Sequence, residues 1–127
     1  MTTLYERIGG AAAVKAAVEV FYGKVLADPR IAHFFDGVDM AKQSAKQRAF
    51  LIMAFGGPNT YTGEDMRRGH AHLVARGLDD SHFDAVVENL AATLQELGVA
   101  AADIEAVAQI AESVRDDVLG RDRVAAA

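Results

Sequence analysis

The chain has 127 residues, enough for one domain with a small core. With 13 Lys+Arg against 18 Asp+Glu the formal net charge is −5, and no basic run offers a footprint for nucleic acid or a membrane surface. There is no cysteine, which excludes disulfides, thiolate metal sites, iron–sulfur clusters and cysteine nucleophiles; a metal would have to bind through histidine or another nitrogen or oxygen donor.

The opening MTTLYERIGG lacks the basic lead and apolar segment of a signal peptide, and no apolar run reaches membrane-spanning length, so a soluble cytoplasmic protein is expected. Within it, TLYERIGG reads as a short helical turn stopped by Gly9 and Gly10. From Ala11 to Ala27, Val14, Val18, Phe21 and Val25 recur at helical spacing, with Tyr22 and Leu26 on the flank of the stripe. A phenol placed there buries its ring and needs a hydrogen-bond partner for its hydroxyl. Asp28 and Pro29 end this helix, and a short segment runs to Phe35. Phe34 and Phe35 precede the turn pair Asp36–Gly37, and two adjacent aromatics at a chain reversal imply core packing.

Asp39 is placed to cap a helix from about Met40 to Phe55, whose inward stripe is Met40, Gln43, Gln47, Phe50, Leu51 and Ala54. Two amides on an apolar face are unexpected, because an unpartnered buried amide costs roughly 1–3 kcal/mol. Either they reach past the core to water, or with Tyr22 they line a small polar cavity. Lys46 stands at the edge of that stripe.

Phe55 to Asn59 form a helix-breaking connector, and Thr62 with Asp65 matches a capping box for a helix starting near Gly63. That helix sets Met66, His70, Leu73 and Val74 on one face and points His72 away. An imidazole on such a stripe needs a hydrogen-bonding group or a metal. After Gly77 comes a strong helix signal from Phe83, Val86, Val87, Leu90, Leu94 and Leu97, capped by Asp80 or Ser81 and ended by Gly98. A last helix is expected from about Ala102 to Leu119, followed by a frayed tail. His33 and His82, near helix starts, read as surface or capping residues. No stretch alternates with strand period, so the fold is all-α: a helical sandwich able to hold a flat apolar ligand between layers.

This order of features closely resembles the group I truncated haemoglobins, short globins built as a two-over-two helical sandwich around haem, and most nearly their cyanobacterial members. The resemblance runs through LYERIGG, FYGKVLADPRIAHFF, MAKQSAKQRAFL, FGGPNTYTGEDMRRGHAHL and HFDAVVENLAATL, with the glycine pairs Gly9–Gly10 and Gly56–Gly57 as family marks. It implies a single truncated globin domain over 1–127, with 118–127 a partly frayed tail. His70 becomes the proximal iron ligand, and Tyr22, Gln43 and Gln47 the polar gas pocket. Phe35 would pack on the haem with Phe34 beside it, and Phe50, Met66, Leu73, Leu78, Phe83, Val86 and Leu90 would add apolar walls. Lys46 would pair with a haem propionate or bind the iron as a distal ligand; the ion pair is preferred, since a lysine must lose its proton to ligate.

The implied cofactor is non-covalent haem b, because no histidine follows His82 to bond a haem vinyl group as in some cyanobacterial members. The implied function is reversible binding of oxygen, nitric oxide and carbon monoxide by a monomer. Hydroxyl and amide donors would favour oxygen over carbon monoxide and slow its release. The alternative is an enzyme, a nitric oxide dioxygenase making nitrate with an external reductase. A helical bundle without cofactor is the third reading, and it would require a protein that stays colourless when haem is added.

Overall fold

The computed structural model describes residues 3–57 and 70–120. Thr3 starts α1 (Leu4–Ile8) by accepting a hydrogen bond from the Glu6 amide, and Gly9, with φ of 115°, stops it in the left-handed region that side chains disfavour. α2 (Gly10–Leu26) follows at once. A single 3-10 turn (Ala32–Phe35) leads to α3 (Met40–Ala54), where the Asp39 carboxylate accepts from the amides of Ala41 and Lys42 as the sequence suggests. α4 is the helical stretch whose described part covers 70–74; α5 (Asp80–Glu96), α6 (Ala101–Ser113) and α7 (Arg115–Val118) complete the order. No strand occurs among the described residues. The expected Thr62–Asp65 capping box and the tail beyond Gly120 lie outside them.

α2 packs against α3 and α5, α5 against α6, and α3 in turn against α6, which makes one helix pair laid over another. α2 supplies the centre: Val14, Ala17, Val18, Phe21, Tyr22 and Val25 are all buried, from 0% to 6% exposed, because their spacing returns to one side of the helix. Leu51 and Phe50 of α3, Ala85 and Leu94 of α5, and Val107 of α6 close on this stripe.

Two boundaries differ from the sequence expectation. α5 is capped by Asp79, not Asp80 or Ser81. The Asp79 carboxylate accepts from the Ser81 amide and hydroxyl, while His82 Nδ1 accepts from the Asp79 amide at 3.0 Å, a reciprocal box with histidine in the place usually held by glutamate. The final helix is also not continuous. It breaks at Val114 (φ −107°, ψ 5°), where Ser113 turns its hydroxyl back to the Ile110 carbonyl. Arg115 then reaches Asp80, Asp84 and Glu112 and lies 4.4 Å over the Phe83 ring, a set of partners that ties α7 to α5.

The end of α3 also seats α1. The Tyr5 amide, one of the unpaired donors of a helix start, bonds the Phe55 carbonyl at 2.9 Å. Gly57 makes this docking possible: a Cβ there would stand 2.8 Å from the Tyr5 ring and 2.9 Å from Ile52 Cγ2. Gly57→Ala is therefore expected to destabilise the fold by about 1–3 kcal/mol, read as a lower urea midpoint. An unchanged midpoint would mean that α1 is not clamped against the connector.

Candidate functional site

Tyr22 follows Phe21 on α2 and is 6% exposed. Its ring meets Phe21 edge-on at 5.1 Å and Phe35 at 5.7 Å, so its body is surrounded by aromatic carbon. The hydroxyl is not orphaned. Gln43 Nε2 of α3 donates to it at 3.1 Å. A phenol oxygen that accepts a bond keeps its own hydrogen for a second partner. Burial pushes the Tyr22 pKa up to about 12, with the Gln43 bond opposing the shift, so the group is a neutral donor at physiological pH.

The helical repeat of α3 sets Gln43 and Gln47 four residues apart on the side that also carries buried Phe50, and both amides are half-buried. Lys46, between them in sequence, is exposed. The structure therefore brings Tyr22 and Gln43 into contact and places Gln47 on the same side of α3 as Gln43.

The two adjacent phenylalanines separate. Phe35 turns to Tyr22, whereas Phe34, buried, packs against His33 at 4.2 Å and His82 at 4.8 Å. The Arg76 guanidinium lies 5.7 Å from the Phe34 ring centre and donates to the His33 carbonyl at 3.2 Å. His82 is thus both helix cap and ring partner.

His70 is half-buried on α4, and Leu73, one turn on, packs against the main core with Leu78 beyond it. On α5, Phe83 and Leu90 are buried and Val86 half-buried. Met66 lies outside the described residues. No cluster of three or more His, Cys, Asp or Glu side chains able to share a metal ion occurs among the described residues.

The corner that presents Phe34 and Phe35 is fixed by residues that periodicity did not single out. Asp28, at the end of α2, accepts from the Arg30 amide and guanidinium and from Asn89 of α5 at 3.0 Å; Arg30 also reaches Glu88 at 2.8 Å. The Arg30 guanidinium and the Asn89 amide hold the Asp28 carboxyl well below the usual carboxylate range. The Asp-Pro-Arg run after a helix is the local signal for such a turn.

The chain matches the model of the family described as Bacterial-like globin over residues 3–119. It is 50% identical over 119 residues to a group 1 truncated hemoglobin of Tetrahymena pyriformis, covering 94% of this chain and 96% of that protein. With a group 1 truncated hemoglobin of Synechocystis it shares 55% identity over 112 residues, 87% of this chain and 90% of the other. A solved 2/2 hemoglobin from Synechococcus, in the cyanomet state and with covalently attached heme, aligns with a TM-score of 0.88 at 52% identity, over 94% of this chain and all of that one. The Fe(III) form of the Tetrahymena pyriformis protein aligns with a TM-score of 0.83 at 50% identity, over 93% and 98%. Other solved forms of that protein replace one tyrosine or either of two glutamines. The chain belongs to the bacterial-like globins and, among them, to the group 1 truncated haemoglobins.

Proposed function

We propose that this truncated haemoglobin holds non-covalent haem b through His70 and reversibly binds oxygen and other diatomic gases against Tyr22, Gln43 and Gln47, in oxygen carriage or storage. The observation that carries this reading is the Gln43 to Tyr22 hydrogen bond, which leaves a buried, neutral hydroxyl with a hydrogen still to donate. The residues fit the group: a half-buried imidazole on α4 is a donor to iron, and the buried Tyr22 hydroxyl held by Gln43 is a donor to a gas. The two substituted glutamines and the tyrosine of the Tetrahymena pyriformis protein have the same mutual spacing as Tyr22, Gln43 and Gln47 here, which supports placing these three together. The absence of any histidine after His82 supports non-covalent attachment.

When bound, haem supplies reversible coordination of a diatomic gas at its iron. The chain supplies discrimination. Tyr22 would donate its hydrogen to a gas carrying partial negative charge, and the Phe21 and Phe35 rings beside it would keep water from competing for that bond. Gln43 holds the Tyr22 oxygen from the other side, so the hydroxyl is oriented before the ligand arrives. Phe35, Phe50, Met66, Leu73, Leu78, Phe83, Val86 and Leu90, with Phe34 behind them, would wall the macrocycle. Nitric oxide dioxygenation would use the same donors.

Lys46 is exposed, and this favours its pairing with a haem propionate at the solvent edge over binding the iron. In that role, Lys46→Ala leaves the pH dependence of the ferric spectrum unchanged. A low-spin spectrum that grows with rising pH and disappears in the variant would instead put the amine on the metal.

A charge-assisted hydrogen bond contributes about 1.5–3 kcal/mol, so Tyr22→Phe is expected to speed oxygen dissociation roughly 10- to 100-fold, with little effect on carbon monoxide. Gln43→Leu, which loosens the hydroxyl without removing it, should speed oxygen release less. Stopped-flow dissociation rates check both, and an unchanged oxygen rate in Tyr22→Phe would take that residue out of the pocket.

A further inference from the structure

His82 stands where two arrangements of hydrogen bonds meet. As the third residue of α5 it closes the capping box by taking the Asp79 amide hydrogen on Nδ1 at 3.0 Å. An imidazole nitrogen that accepts carries no hydrogen, so this bond requires the neutral ring with its hydrogen on Nε2. The same Nδ1 lies 3.2 Å from Oδ1 of the Asp79 carboxylate. The Ser81 hydroxyl, and then the Ser81 amide, hold the Asp79 carboxyl below the usual carboxylate range, so that oxygen stays charged while an imidazole titrates. A proton arriving at Nδ1 therefore turns an acceptor into a donor. The bond from the Asp79 amide is lost, and a bond to the Asp79 carboxylate takes its place. Glutamine, a usual residue at this position of a capping box, accepts from the amide at any pH.

The change does not stop at the helix start. The His82 side chain is 20% exposed, which leaves it open to protons from solvent, and its ring meets the buried Phe34 ring edge-on at 4.8 Å. Across that contact the neighbours are cationic or able to become so. His33 of the 3-10 turn stands 6.1 Å from His82, ring to ring, and the Arg76 guanidinium, beyond α4, lies on the Phe34 ring. On the first turn of α5 itself, Asp80 and Asp84 are held by Arg115. A charged His82 is thus drawn towards Asp79 and pushed from the side of His33 and Arg76, which takes its ring away from Phe34. Phe34 and Phe35 are consecutive in a single 3-10 turn, and the Phe35 ring meets Tyr22 at 5.7 Å.

We propose that His82 is a proton-operated positioning residue: its protonation opens the α5 capping box, shifts Phe34 with Phe35, and loosens the Tyr22 hydroxyl, so that bound gas leaves faster in acid. For the gas this rests on the haem reading above; the movement of Tyr22 does not.

The haem-loaded carbon-monoxide protein, titrated from about pH 8 to about pH 5, spans the range in which an imidazole changes charge. In its NMR spectra the Asp79 amide and the Tyr22 and Phe35 ring signals are expected to move together with the His82 ring signals. Over the same step the oxygen dissociation rate, read by stopped flow, should rise about threefold, the scale of losing part of one neutral hydrogen bond. His82→Gln keeps an acceptor for the Asp79 amide without a titrating ring, and should make the amide shift, the Tyr22 signals and the dissociation rate flat across the range. His33→Gln should keep the step. An Asp79 amide that moves while the Tyr22 and Phe35 rings stay still would overturn the proposal. So would a rate step that survives in His82→Gln, or one that only His33→Gln removes. A protein that takes up no haem defeats the haem reading, and the Asp79, Tyr22 and Phe35 signals then decide the role of His82 by themselves.

Discussion

A phenol hydroxyl surrounded by phenylalanine rings has to be met by a polar group from another element, and in this fold that group is the Gln43 amide. The bond ties α2 to α3 at their buried faces and sets which side of α3 turns inward. It also explains why Gln43 stands where leucine would pack better. Left alone, either partner would cost its full desolvation; joined, they satisfy each other and leave one hydrogen to spare. No buried side-chain nitrogen or oxygen among the described residues lacks a partner, so this spare donor is an addition to a core otherwise closed on itself.

The polar contacts that hold the framework lie at its corners. Asp28 with Arg30 and Asn89 joins the end of α2 to α5, Arg115 joins α7 to α5, and His82 with Asp79 starts α5. Each is a surface or edge network whose charges are partly solvated, and each fixes a direction of the chain more than it adds stability. Keeping these networks at the corners lets Tyr22 and Gln43 meet beside the Phe21 and Phe35 rings. Thr93, fully buried, follows the same logic by returning its hydroxyl to the Asn89 carbonyl at 2.8 Å, where it asks nothing of the pocket.

Much of this was legible in the residues themselves. The bounds of α2 and α3 follow from apolar spacing to within a residue, and the inward polar tips of Tyr22 and Gln43 could be read before any fold was known, because both fall on stripes that ought to be apolar. Other features depend on three-dimensional partners that periodicity does not carry. The Val114 break comes from Ser113 and from Arg115 reaching carboxylates more than thirty positions away in sequence, competition invisible to a helical repeat. The divergence of Phe34 from Phe35 follows from a 3-10 turn that aims successive side chains apart, with His33, His82 and Arg76 waiting on one side. Asp79 was hidden because histidine seldom completes a capping box.

The central claim is that His70 would hold the iron of a haem and that Tyr22 would donate to the gas it binds. The most direct measurement is the absorption spectrum of His70→Gly, in ferric and carbon-monoxide forms, after addition of haem and then of free imidazole. The account predicts that the wild-type spectrum is lost in the variant and returns as imidazole fills the space left by the side chain. A variant whose spectra match wild type without imidazole would contradict it.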